Sequence, residues 1–127
     1  MRASVIAIVD DDAYARSGLK DLVLSLGYEA RTFESAEQFV DSGSIADTAC
    51  LITDLQMPGL DGLNLHALLR RNGHRTPVIF VTAHASEVNR SRAFEGGAVG
   101  FLSKPLRGNA LAACLTAALV QAATSSS

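Results

Sequence analysis

No stretch of this 127-residue chain holds the 18 or so consecutive apolar residues that a membrane-spanning helix needs. The amino terminus, Met1-Arg2-Ala3-Ser4, leads into only five apolar residues before Asp10, too few for the core of a signal peptide. These two absences predict a cytoplasmic protein with no membrane contact. No run or stripe of Lys and Arg stands out, and the formal net charge is -2, so direct contact of this segment with nucleic acid is not expected. Cysteine is scarce. Cys50 and Cys114 are the only two, far apart and each inside an apolar segment, which predicts buried free thiols rather than a disulfide or a metal site. There is no internal repeat and no sign of a second domain, and the length suffices for one hydrophobic core.

What is present is a regular alternation of two patterns. Val5-Ile6-Ala7-Ile8-Val9 is a continuous apolar run, rich in β-branched residues and cut off by Asp10-Asp11-Asp12. Continuous rather than alternating apolarity suits a parallel strand covered on both faces. From Ala13 to Leu26 the apolar positions Leu19, Leu22, Val23 and Leu26 follow the spacing of an amphipathic helix, with Asp12 placed to cap it and Gly27 to end it. Tyr28 to Phe33 reads as a second strand, and Ser35-Ala36-Glu37-Gln38 has the capping-box form that opens a short helix to about Val40. After a loop from Asp41 to Thr48, Ala49 to Thr53 is a third strand that ends at Asp54.

Pro58-Gly59 and Asp61-Gly62 supply turn chemistry before a third helix, which carries Leu63, Leu65, Ala67, Leu68 and Leu69 and closes at Asn72-Gly73. Pro77 to Val81 is a fourth strand that delivers Thr82 to its end. Ser86 to Glu95 is a weaker helix whose only large apolar residues are Val88 and Phe94, broken by Gly96-Gly97. Ala98 to Leu102 is a fifth strand with Lys104-Pro105 close behind. Asn109 to about Ala123 forms the last helix, with Leu111, Cys114, Leu115, Ala118 and Leu119 on its apolar face, before a flexible tail at 124–127. Five strands alternating with five helices predict a single α/β domain over residues 1–123. Its expected form is doubly wound and flavodoxin-like, a five-stranded parallel sheet of order 2-1-3-4-5 with helices on both faces.

In such a sheet the carboxyl ends of the strands share one edge. Asp10 and Asp11, Asp54, Thr82 and Lys104 all fall there. Three carboxylates held close together repel, so a proton or a cation must join them, and an open site of oxygen ligands suits Mg²⁺. A cation and Lys104 beside Asp54 would neutralise the oxygens gathering around a phosphoryl group, and Asp54 would act as the covalent nucleophile. Thr82 would then donate its hydroxyl hydrogen to a phosphoryl oxygen, a contact made only after transfer and so able to bias a two-state element. Taken singly, each residue has a plainer role: acids near a helix start, a solvated lysine, a strand-end threonine, an apolar Phe101 in a strand. The joint placement is what argues for a site. His66 and His74 read as surface residues, and His84 as an exposed loop residue beside the site.

Four pieces, Val9-Asp10-Asp11, Thr53 to Gly62, Val81-Thr82-Ala83 and Phe101-Leu102-Ser103-Lys104-Pro105, occur in the order and at the spacings of a known family. The sequence resembles, over essentially its whole length, the receiver domain of bacterial two-component response regulators, with a CheY-like fold and details similar to receivers of the FixJ type. The resemblance implies that Asp54 accepts a phosphoryl group from a sensor histidine kinase. It implies that Asp10, Asp11, Asp54 and the backbone carbonyl of Gln56 hold Mg²⁺, and that Lys104 pairs with Asp54 and then with the phosphoryl group. Thr82 and Phe101 would form a switch pair, and the Lys104-Pro105 bond would be cis. The face made by the fourth helix, fifth strand and fifth helix would then engage a second copy, an output domain or a downstream protein. Beyond self-phosphorylation and self-dephosphorylation, no enzymatic turnover is implied.

The chain departs from the pattern at Gly100, where an acid is frequent, and at Ser103, where a glutamate is frequent. A phosphohydrolase on the same fold would place a second acid two residues beyond the nucleophile, where this chain has Gln56. A flavodoxin would carry a Gly/Ser/Thr-rich phosphate cradle where the first strand here ends in three acids. The other alternative is a receiver-fold interaction module that works without phosphorylation.

Overall fold

The computed structural model describes residues 4–125. The strands β1 (Val5–Val9), β2 (Glu29–Phe33), β3 (Cys50–Thr53), β4 (Val78–Thr82) and β5 (Gly100–Ser103) form one parallel sheet in the order β2-β1-β3-β4-β5. Between and after them run α1 (Ala13–Ser25), α2 (Ala36–Asp41), α3 (Gly62–Arg71), α4 (Glu87–Glu95) and α5 (Gly108–Ser125). Every residue of the central strands β3 and β4 is buried, which is why their sequences are apolar without alternation.

Alternate residues of the strands feed two cores. Ala7, Val9, Leu51, Val78, Phe80 and Phe101 face one side, where Phe39 of α2, Leu65 and Leu69 of α3 and Ala93 of α4 meet them. Ile6, Ile8, Cys50, Ile52, Ile79 and Val81 face the other, against Leu19 and Val23 of α1 and Leu111, Leu115 and Ala118 of α5. The period-two alternation of side chains along a strand assigns each strand residue to its core. Both cysteines are free and belong to the α1/α5 side. Burial pushes the Cys50 thiol up to about 12, with nearby Cys114 adding to the shift, and burial raises Cys114 as well. Cys114 is only half-buried, which corrects the expectation of two buried thiols.

The helix ends follow local chemistry. Asp12 caps α1 by accepting from the backbone N–H groups of Tyr14 and Ala15. Asp61 caps α3 and Ser86 caps α4 in the same way. Ser35 accepts from Gln38 N–H at 3.0 Å, but the Gln38 side chain reaches Glu34 N–H at 2.8 Å, one residue ahead of the reciprocal partner in a capping box. Gly27, with φ +93, reverses the chain after α1 in a conformation that costs other residues dearly.

Beyond element ends that shift by one residue, the structure differs from the sequence pattern elsewhere too. The loop after α2 contains a turn of 3₁₀ helix at Ile45–Asp47. The fifth strand begins at Gly100 rather than Ala98, although Val99 N–H already bonds the Val78 carbonyl at 2.9 Å. The last helix continues through Ser125, past Ala123, so the tail expected at 124–127 is helical in its first half, and 126–127 lie outside the described residues. His66, expected on the surface, is 4% exposed. It lies edge-on to Phe80, with ring centroids 5.9 Å apart. Burial, aided by the Arg70 charge, lowers its pKa to about 4, so the ring is neutral at pH 7. Among the described residues no helix is long and apolar enough to cross a membrane.

Candidate functional site

β1 and β3 are hydrogen-bonded neighbours, so their carboxyl ends set Asp10 and Asp54 side by side. Asp54 N–H extends the ladder by bonding the Val9 carbonyl at 3.1 Å. Asp10 is fully buried, Asp54 is 8% exposed and Asp11 is open to solvent. One carboxylate oxygen from each of Asp10, Asp11 and Asp54 lies within 4.8 Å of the other two. Lys104, brought in from β5, places Nζ 2.9 Å from Asp10 Oδ2 and 3.0 Å from Asp54 Oδ2. The peptide bond that follows it, to Pro105, is cis.

One ammonium thus serves two carboxylates in a mostly dry corner. Burial alone would pull the Lys104 ammonium down, but its hydrogen bonds to Asp10 and Asp54 and their charges outweigh that and hold its pKa above the ordinary lysine value. The remaining lone pairs are partly used. Asp10 Oδ1 accepts from Asp12 N–H at 2.9 Å, and Asp54 Oδ1 accepts from Gln56 N–H at 3.3 Å. Three carboxylates against one ammonium leave an excess of negative charge, and the donor set is oxygen only. Such a set fits a hard divalent cation that keeps part of its water shell.

The loop after Asp54 is held by a glycine the sequence marked only as turn chemistry. Gly62 opens α3, its N–H bonds the Leu55 carbonyl at 2.9 Å, and a Cβ on it would run into the Asp54 backbone carbonyl. Only glycine lets the start of α3 come this close to the end of β3. Arg16, one turn into α1, was not singled out by sequence. Its Nη1 donates to the Asp10 backbone carbonyl at 2.8 Å, and its only sequence signal is a position four residues after the cap Asp12.

Thr82 closes β4 and Phe101 lies in β5. The Thr82 hydroxyl is buried and accepts from His84 N–H at 3.0 Å. Register pairs Phe80 with Phe101 and Thr82 with Ser103, so Thr82 and Phe101 are diagonal neighbours on one face of the sheet. Phe101 is 8% exposed and packed in the core that α2, α3 and α4 cover. His84 is exposed, as its loop position suggested, and His74 is partly exposed.

A family model for the response regulator receiver domain matches residues 6–116. The chain belongs to this family. Relatives include the response regulator protein TodT of Pseudomonas putida, 37% identical over 118 residues that make up 93% of this chain and 52% of that protein. The transcriptional regulatory protein FixJ of Bradyrhizobium diazoefficiens is 33% identical over 117 residues, 92% of this chain and 57% of that protein. Among solved structures, the crystal structure of FixJ-N superposes with a TM-score of 0.84 at 28% identity, covering 94% of this chain and 96% of that one. This receiver therefore spans about half the length of the curated relatives it matches. It is a receiver domain of the two-component response regulator family, and its acidic pocket lies at the carboxyl edge of the sheet.

Proposed function

We propose that this receiver accepts a phosphoryl group on Asp54 from a sensor histidine kinase in the cytoplasm and passes the change to a partner or output domain. One observation carries the reading: Lys104 Nζ bridges Asp10 Oδ2 and Asp54 Oδ2 inside a cluster of three carboxylates that leaves net negative charge. Asp10, Asp11, Asp54 and the backbone carbonyl of Gln56 would hold Mg²⁺, and the ion, when bound, supplies charge neutralisation for the crowded oxygens. A carboxylate oxygen of Asp54 forms the new bond to phosphorus as the bond from phosphorus to the donor's nitrogen breaks. The electron pair of that broken bond stays with the donor. Lys104, already on Asp54 Oδ2, is placed to follow the charge onto the phosphoryl oxygens.

The switch follows from hydrogen-bond inventory. Thr82 Oγ1 already accepts from His84 N–H, which leaves its hydroxyl hydrogen to donate to a phosphoryl oxygen. Movement of Thr82 toward the acids opens space beside its diagonal neighbour Phe101, and the face made by α4, β5 and α5 changes with it. α4 carries the exposed apolar side chains Val88 and Phe94, and a second copy or another partner would dock on the changed face. Phosphorylation would also replace the single negative charge of the Asp54 carboxylate with about -1.5 to -2 on the phosphoryl group, a net gain of about one charge or less, which strengthens the contacts Lys104 and Thr82 make with the phosphoryl oxygens.

Intact mass after incubation with a small acyl phosphate, with and without Mg²⁺, tests the reading on wild type and Asp54→Asn. The expected result is a Mg²⁺-dependent gain of one phosphoryl group by wild type and none by the variant. No gain by wild type under any condition would overturn the proposal in favour of an interaction module that works without phosphorylation.

A further inference from the structure

Glu37 is the second residue of α2, 23 positions before Leu60, yet its Oε2 accepts the Leu60 N–H at 3.0 Å. The same carboxylate lies over Gly59, where φ is +76 and a Cβ would collide with Glu37 Oε2. Leu60 belongs to the loop that runs from Asp54 to the α3 cap Asp61. The near end of that loop is tied by Gln56 N–H to Asp54 Oδ1 and by Gly62 N–H to the Leu55 carbonyl. Its far end, at Gly59 and Leu60, is tied by Glu37. The Leu60 and Glu37 backbone N–H groups hold this carboxyl below the usual glutamate range, so it is an anion at neutral pH and a strong acceptor.

We infer that Glu37 is a positioning residue for the phosphoacceptor loop: by fixing Gly59-Leu60 it fixes the path of the backbone at Gln56, and with it the strength of cation binding in the acidic pocket. The inference rests on the reading of the site given above. Glu37 touches neither the carboxylates nor Lys104, so it acts through the loop alone. Backbone between a strand end and a helix start has no ladder of its own, and a side chain from a neighbouring element is what sets its position.

The test compares wild type, Glu37→Ala, Glu37→Gln and a charge control, Glu29→Gln on the edge strand β2. Mg²⁺ is titrated while the amide resonances of residues 54–62 are followed by NMR, and phosphorylation by a small acyl phosphate is measured against Mg²⁺ concentration. Glu37→Ala is expected to weaken Mg²⁺ binding about tenfold, the low end for groups behind the ligands, with the rate at saturating Mg²⁺ within about twofold of wild type. Glu37→Gln keeps an acceptor for Leu60 and is expected to recover most of the affinity, and Glu29→Gln to leave it unchanged. Wild-type affinity in Glu37→Ala would overturn the inference while leaving the site reading intact. Failure of wild type itself to respond to Mg²⁺ would overturn both.

Discussion

α3 and α4 lie on the same side of the sheet and are packed in opposite ways. α3 buries Gly62, Leu65, His66 and Leu69, and its first residue abuts the Asp54 carbonyl. α4 buries only Ala93, while Val88 and Phe94 are 64% and 41% exposed. The guanidinium of Arg90, on the same helix, sits over the Phe94 ring, 5.2 Å from its centroid. The difference divides the labour of the domain. The groups proposed to meet a phosphoryl donor are built on buried central strands and the close-packed start of α3. The element proposed to report the event has little apolar area tying it down, so the change proposed at Thr82 and Phe101 would need to be only modest to move it.

The largest effect is expected where α3 meets the site. Gly62→Ala forces a methyl group into the Asp54 backbone carbonyl and is expected to cost about 2–3 kcal/mol of stability, read from denaturant unfolding, as overpacking typically does. Ordinary stability in that variant would mean the start of α3 is more yielding than its contacts imply.

Next comes the pH dependence of His66. Its folded pKa, near 4, lies below the unfolded value of about 6.5, so the unfolded chain binds the proton more readily. The stability this neutral ring contributes is therefore fully present above about pH 6.5 and is lost as pH falls toward 4. His66→Leu should remove that part of the slope, a difference of about 2–3 kcal/mol between the two proteins' changes over the window. Parallel stability curves for the two proteins would show that the ring takes up its proton without cost.

The smallest effect belongs to α4. Val88→Ala should change stability by no more than about 0.5 kcal/mol, since the side chain is mostly in water. A larger loss would erase the contrast between the two helices.

Much of this arrangement is legible in the sequence because it is local. The uninterrupted apolar runs at Val5–Val9 and Val78–Val81 require burial on both faces, and Asp12, Ser35 and Ser86 satisfy helix N–H groups within three residues of themselves. The site is legible for the same reason: a parallel sheet of order β2-β1-β3-β4-β5 carries strand-end residues to one edge whatever lies between them. Contacts made across sequence are not legible. His66 shares the buried stripe of Gly62, Leu65 and Leu69, but a polar ring on a helix with leucines on more than one side does not by itself declare burial. Only the fold brings the edge of Phe80 against it. Glu37 looks like any first-turn acid until the fold brings Leu60 to it. Arg16 looks like a surface arginine until the end of β1 is placed beneath it.

Amide hydrogen exchange before and after loading with the acyl phosphate and Mg²⁺ tests this division of labour most directly. The account predicts that α4 amides exchange well before those of β3 and β4, and that loading changes exchange in α4 and at Phe101 while β3 stays protected. Exchange in α4 as slow as in the central strands, and unchanged by loading, would contradict it.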